Sequence, residues 1–189
     1  MIRLSLVGVR VEVPTNQPIV LLREDEGQRY LPIFIGPPEA TAIVYALQGM
    51  ETPRPMTHDL FKTVLDDMSM RLQQVVITEL HDGTFYAEIE LAGNGNAHRI
   101  SSRPSDAIAL AVRCEAQIFA ADDVVDESAI EFQAGDDEQA SLVTASNLAD
   151  LDPEEFRRFI ETVTPEEFAS SLDEVFEDAE DDLLEDEEN

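Results

Sequence analysis

Residues 73–92 contain two runs typical of β-strands, joined by a tight-turn signal. The runs read QQVVITEL and TFYAEIELA, and Asp82–Gly83 lies between them. An Asp-Gly pair between two such runs is among the strongest short-range signals for a β-hairpin. GNGN then turns the chain into AHRI. The stretch therefore predicts an antiparallel meander of three strands.

Two further strand regions precede the meander. Residues 1–13, MIRLSLVGVRVEV, alternate between apolar and polar, but the phase reverses between Leu6 and Val7. Such a reversal predicts a bulge or a strand buried on both faces. The runs PIVLL and YLPIFI are separated by a loop that contains Glu26–Gly27, so they predict a hairpin.

Three main helices are predicted beside these strands. The first covers about residues 37–48, because Pro37 suits a first helical turn and Gly49 suits a helix end. The second begins near Thr57, and the third covers about residues 104–113. The second helix has an apolar face at helical spacing, formed by Leu60, Phe61, Val64, Leu65 and Met68. Strands and helices in this order predict an α+β fold with a mixed, largely antiparallel sheet or sheets and a C-terminal helical appendage.

The domain organisation follows a change in composition near residue 133. We expect a folded domain over 1–132, a linker over 133–149, two short amphipathic helices within 150–178 and a disordered acidic tail over 179–189. DPEEFRRFI and TPEEFASSL each match a capping box with Pro at the first helical position. Helices this short are not stable alone. They are expected to dock on the main domain, on a second subunit or on a protein partner.

The formal net charge of −29 is distributed unevenly. Residues 1–133 hold 10 basic and 20 acidic groups, for a net charge of −10, and residues 134–189 hold 2 and 21, for −19. This balance gives no support to nucleic-acid binding, but a local basic site can act within a short Debye length. The sequence lacks a long apolar run and a secretory signal, and it has one Cys, so we expect a cytoplasmic protein with no membrane association.

Two stretches, RPMTHDLF and RPSDAIAL, combine an Arg-Pro pair with a helix start. One interpretation is structural: Thr57 caps the second helix, and either Ser105 caps the third helix or Pro104 opens it. The other interpretation adds anion binding, because a helix start presents free N–H groups and Arg binds phosphate oxygens bidentately.

Under the second interpretation, each polar residue of the two stretches has a candidate role. Catalysis is assigned to Arg54, Thr57, His58 and Asp59, with His58 as general acid or base. Substrate phosphates are assigned to Arg54, Arg103 and Ser105. The metal ligands are Glu39, Asp59 and Asp106, whose oxygens suit a divalent cation such as magnesium. His81 and His98 are expected at the surface.

Three motifs, in order, resemble the bifunctional nuclease family of small bacterial and plant proteins: LPIFIGPPEATAI, RPMTHDLF and SSRPSDAIALAVR. The resemblance covers about residues 1–132. The matching positions are Gly36, Glu39, Ala40, Arg54, Pro55, Thr57, His58, Asp59, Leu60, Arg103, Pro104, Ser105, Asp106 and Ala107. The resemblance implies a nuclease that acts on DNA and RNA, and an α+β domain that pairs into a wedge-shaped homodimer with a groove as active site.

The sequence thus supports two functions from different classes. The first is a metal-assisted nuclease that hydrolyses phosphodiester bonds of DNA and RNA. The alternative is a non-enzymatic regulatory module that binds a phosphate ligand or a protein, through the same groove or through the C-terminal helices. The large negative charge favours the alternative, because it opposes tight binding of polyanions.

Overall fold

The computed structural model describes residues 1–12, 16–93 and 95–131. The predicted linker, the two C-terminal helices and the acidic tail lie outside the described residues. Within the described ranges, none of the helices has the length and apolar content that crossing a bilayer requires.

A single sheet of eight strands forms the centre of the described structure. The strands are β1 Ile2–Val11, β2 Pro18–Glu24, β3 Arg29–Phe34, β4 Met70–His81, β5 Thr84–Gly93, β6 Asn96–Ser102, β7 Gln117–Ala120 and β8 Ile130–Glu131. Their order across the sheet is β6-β5-β4-β7-β1-β2-β3-β8. All neighbours are antiparallel except β4 and β7, which are parallel. The predicted α+β fold with a mixed, largely antiparallel sheet is therefore confirmed.

The helices of the described residues are α1 Pro37–Leu47, α2 Thr57–Asp67, α3 Pro104–Cys114 and α4 Asp122–Ser128. The first three are the predicted main helices, and α4 is a short addition. The N-cap of α2 is Met56, so the prediction that Thr57 caps this helix is wrong. The Asp59 side chain supplies the capping contact by accepting the Met56 N–H at 2.9 Å. In α3, Arg103 is the N-cap and Pro104 is the first helical residue, so Pro104 opens the helix and Ser105 does not cap it.

The hairpins and the bulge lie where the sequence pattern places them. Asp82 and Gly83 have φ values of 48° and 69°. Positive φ at both central residues is the requirement of the type I′ turn that matches strand twist. The register between β1 and β2 shifts between Leu6 and Gly8, which is the bulge that the phase reversal predicts.

The core lies between the sheet and α1 and α3. Ala40 and Ile43 on α1, and Ala107 and Ile108 on α3, are fully buried. The second helix, α2, packs on α3 and β4 but is less buried than α1 and α3, because Leu65 is its one buried residue. Both α1 and α2 therefore pack against α3, which brings polar residues from three helices together.

Candidate active site at the starts of two helices

The first turns of α2 and α3 meet through a histidine and an aspartate. His58 Nε2 lies 3.1 Å from Asp106 Oδ1. His58 is the second helical residue of α2, and Asp106 is the third of α3. His58 and Asp106 are 48 residues apart in sequence, so the two Arg-Pro stretches contribute to one site.

Arg103 joins this pair to the first turn of α1. Its Nε and one terminal nitrogen donate to Asp106 at 2.8 and 3.2 Å, and its other terminal nitrogen lies 3.0 Å from Glu39 Oε1. A guanidinium has five N–H donors, so about two remain for a ligand. The Arg103 side chain is 65% exposed, so solutes can reach those donors.

Asp106 is ionised in this arrangement. Burial favours the neutral acid, but the hydrogen bonds from Arg103 and His58 favour the anion more strongly, so the pKa of Asp106 is lowered. The hydrogen bond between Arg103 and Asp106 also affects the arginine, because it is the main reason that the pKa of Arg103 is raised. A carboxylate anion only accepts hydrogen bonds. His58 Nε2 must therefore carry the proton in the contact with Asp106.

This tautomer leaves the other ring nitrogen, Nδ1, with a lone pair when the imidazole is neutral. Within the described residues, Nδ1 forms no hydrogen bond. The His58 side chain is 14% exposed, so the ring is mostly enclosed but not sealed. A histidine oriented by a carboxylate at one nitrogen and open at the other is the arrangement that proton transfer requires.

Asp59 belongs to a different contact. Its Oδ1 accepts from Arg113 Nε at 2.5 Å, and Arg113 also donates to the carbonyl oxygens of Ala42 and Ala109 at 2.9 and 3.0 Å. The Arg113 side chain is 7% exposed, so this guanidinium ties α1, α2 and α3 together inside the protein. Burial raises the pKa of Asp59, whereas the hydrogen bonds from Arg113 and the Met56 N–H lower it, and the net effect is a lowered pKa.

Arg113 was missed among the candidate residues of the sequence. The signal was a charged residue in the otherwise apolar run AIALAVRC, seven positions after Asp106. Seven positions are about two helical turns, so both side chains lie on the same face of α3 and both face α2.

The remaining candidates are less closely connected. Arg54 is exposed in the loop before α2, and its guanidinium forms no ion pair within the described part of the chain. Thr57 is exposed at the first position of α2. Ser105 is only 7% exposed, so direct contact of its hydroxyl with a substrate would need movement of its surroundings.

The three proposed metal ligands do not converge in this arrangement. Glu39 and Asp106 share Arg103, whereas Asp59 binds Arg113. Across residues 1–12, 16–93 and 95–131, no three His, Cys, Asp or Glu side chains are close enough together to hold a metal ion. The residues therefore do not fit a three-ligand site as they stand, and a requirement for magnesium stays a prediction.

Comparison with known proteins identifies the family to which the site-bearing part of the chain is similar. A family model described as the bifunctional nuclease domain matches residues 20–133, which include both Arg-Pro stretches. An uncharacterized protein of Mycobacterium tuberculosis is 39% identical over 166 residues, which are 88% of this chain and 97% of that protein.

Two plant proteins match a shorter region. Bifunctional nuclease 1 of Oryza sativa subsp. japonica is 33% identical over 106 residues, 54% of this chain and 32% of the rice protein. Bifunctional nuclease 1 of Arabidopsis thaliana is 32% identical over 103 residues, 53% of this chain and 32% of that protein. The family model covers more than half of the chain, and the site residues 39, 58, 103 and 106 lie inside it. This chain therefore belongs to the bifunctional nuclease domain family.

Proposed function

We propose that this chain is a nuclease that hydrolyses phosphodiester bonds of DNA and RNA at the His58–Asp106 pair. The observation that carries the proposal is the contact between these two side chains at the meeting helix starts, next to an accessible guanidinium. Membership of the bifunctional nuclease domain family supports the reaction class. The activity of the plant relatives is indicated by their names alone, and this chain matches 32% of their length.

The proton transfers follow from the tautomer. Nδ1 of His58 accepts a proton from a water molecule whose oxygen attacks phosphorus. The bond from phosphorus to the leaving oxygen breaks on the opposite side of phosphorus, where solvent water protonates that oxygen, and the imidazolium then returns its proton to solvent. Asp106 stabilises the imidazolium through Nε2, as the buried carboxylate does in other histidine-based hydrolases. Such general acid–base catalysis contributes about 100- to 10,000-fold in rate.

Phosphate binding is assigned to the two arginines. Arg103 offers its two unused N–H donors, and Arg54, which is exposed in the loop before α2, supplies a second guanidinium. The backbone N–H groups at the helix starts add partial positive charge. We assign contact with the attacking water to the exposed hydroxyl of Thr57, and Asp59, held by Arg113, positions the first turn of α2.

The experiment compares the wild-type protein with an Arg54→Ala/His58→Ala variant on single-stranded RNA and plasmid DNA, with magnesium or with EDTA. Cleavage that co-purifies with the wild type and disappears in the variant supports the proposal. The matched control is Arg71→Ala/His81→Ala, which removes one exposed arginine and one exposed histidine from β4. Cleavage that persists in the Arg54/His58 variant identifies a contaminant and contradicts the proposal.

The alternative function is a non-enzymatic regulatory module that binds a phosphate ligand or a protein. The observation that favours it is the charge of the site: Glu39 and Asp106 together outweigh Arg103, which they already bind. A site with this balance attracts a nucleic acid only weakly. Retained binding of inorganic phosphate or a short oligonucleotide by wild-type protein that cleaves neither substrate would favour the module.

A further inference from the structure

The second helix carries an apolar face that the described residues leave at the surface. Leu60 is 57%, Phe61 39% and Val64 45% exposed, and Met68, at 60%, continues the same stripe. Residues 60, 64 and 68 lie on one side of a helix, along about 12 Å of its axis. Monomeric proteins rarely expose contiguous apolar patches of this kind without a binding function.

We propose that residues 153–163 of the same chain cover this face as an amphipathic helix. The segment reads PEEFRRFIETV, and its apolar residues Phe156, Phe159, Ile160 and Val163 recur at positions i, i+3, i+4 and i+7. That spacing gives one apolar stripe along about two helical turns. Its length matches the exposed stripe of α2, and the inference does not depend on the nuclease proposal.

The two arginines of residues 153–163 are opposite in charge to the last turn of α2, whereas the three glutamates of the segment give it a net charge of −1. Arg157 and Arg158 are the two basic residues after residue 133, and both lie in this segment. The last turn of α2 carries Asp66 and Asp67. Asp66 is bound by Lys62, and both aspartates are exposed. The second amphipathic segment, around Phe168, has no basic residue and would meet these aspartates with like charge.

The chain is long enough to reach. The described residues end at Glu131 in β8, which lies five strand positions from β4, the strand on which α2 packs. Five spacings are about 24 Å. The 21 residues 132–152 span up to about 70 Å when extended. Tethering of this kind raises the effective concentration of the segment into about the millimolar range, so a weak helix–groove contact can persist.

The match with the Mycobacterium tuberculosis protein includes this segment. A match of 166 residues within a chain of 189 begins at residue 24 at the latest, so it contains residues 153–163. The two plant matches cover 106 and 103 residues. Residues 153–163 lie outside the family domain, which ends at residue 133. They nevertheless fall within the match to the Mycobacterium tuberculosis protein, which covers 97% of that protein.

Cysteine cross-linking in the full chain tests the contact. In a Cys114→Ser background, Ile160→Cys is combined in turn with Leu60→Cys, Val64→Cys or Met68→Cys and treated with a flexible bismaleimide. We expect at least one pair to form an intramolecular product at a rate that does not depend on protein concentration. This rate should be about tenfold higher than the rate for a control pair that is tethered but not docked. That control is Asp82→Cys with Ile160→Cys, because Asp82 is exposed at the far end of β4.

Two outcomes overturn the proposal. A product that runs as a covalent dimer, with a rate that rises with concentration, assigns the face to a second copy. Equal rates for the α2 pairs and the Asp82 control, in variants with wild-type circular dichroism, leave residues 153–163 undocked and assign the face to another protein.

A second measurement uses accessibility. The Val64→Cys thiol in the Cys114→Ser background should be alkylated about tenfold faster after Phe159→Ser and Ile160→Ser are added, because the covering helix loses its apolar stripe. The matched control adds Leu183→Ser and Leu184→Ser in the acidic tail and should leave the rate unchanged. An unchanged rate in the Phe159/Ile160 variant contradicts the proposal.

Discussion

Replacing Arg113 should loosen the attachment of α2 and lower the free energy of unfolding. The side chain is 7% exposed and donates to Asp59 and to the carbonyl oxygens of Ala42 and Ala109. Arg113→Met keeps much of the aliphatic volume and removes all three hydrogen bonds. The ion pair dominates the loss, because backbone N–H groups of the helices also bond such carbonyl oxygens.

The magnitude follows from the surroundings of Asp59. A hydrogen bond to a charged group contributes about 1.5–3 kcal/mol. Asp59 is 38% exposed and keeps the Met56 N–H, so water replaces part of the interaction. We therefore expect Arg113→Met to cost about 2 kcal/mol, near the lower end of this range. Arg113→Ala should cost more, because it also removes buried methylenes.

Urea unfolding followed by circular dichroism, at one protein concentration, measures this cost. Asp59→Asn and the double variant complete a double-mutant cycle. The control is Arg99→Met, because the Arg99 side chain is 70% exposed in its ion pair with Glu90 and should contribute no more than about 1 kcal/mol. If the Arg113 and Asp59 effects add within about 0.5 kcal/mol, the two side chains are not coupled and the argument is refuted.

Three further predictions concern charge. The pKa values of Asp106 and Asp59 are lowered, so the folded state binds fewer protons than the unfolded state at acidic pH. The two carboxylates therefore stabilise the folded state above about pH 4, and this stabilisation is lost as pH falls through the folded pKa values. The urea midpoint of Asp106→Asn should therefore fall less on acidification than that of the wild type, and an equal fall would count against the pairing. Arg103→Ala should weaken binding to single-stranded DNA and reduce the slope of log affinity against log salt by about 1, measured by fluorescence anisotropy, with Arg99→Ala as the unchanged control. EDTA should abolish cleavage and magnesium should restore it if substrate phosphate oxygens complete the ligand set that Glu39, Asp59 and Asp106 do not form by themselves, and full activity in EDTA would remove the metal from the account.

Much of the fold could be predicted because its signals are local. The Asp82–Gly83 turn fixes the register of β4 and β5, and both residues have the positive φ that this turn demands. The phase reversal at Leu6 and Val7 records a bulge that interrupts the alternation of side chains. Such features depend on neighbours in sequence and can be read without the tertiary structure.

The position of β7 could not be predicted in the same way. This strand has only four residues, yet it pairs with both β1 and β4 and joins the two halves of the sheet. Its partners lie far away in sequence, and strand pairing over such distances leaves no local pattern.

The candidate site was predicted in part. The meeting of His58 with Asp106 joins two motifs that the sequence singled out, but their spacing carries no information on convergence. Asp59, the neighbour of His58, points about 100° around the helix and therefore reaches Arg113 instead. The sequence also identified the apolar face of α2 without indicating that most of it stays outside the core of the described residues.

The initial rate of phosphodiester cleavage by His58→Ala, beside wild type and His81→Ala, tests the central claim most directly. Substrate, magnesium and protein concentrations are held equal, and circular dichroism establishes that each variant is folded. The account predicts that removing the imidazole of His58 lowers the rate by at least about 100-fold, whereas His81→Ala retains the wild-type rate. A folded His58→Ala protein that cleaves at the wild-type rate would contradict the account.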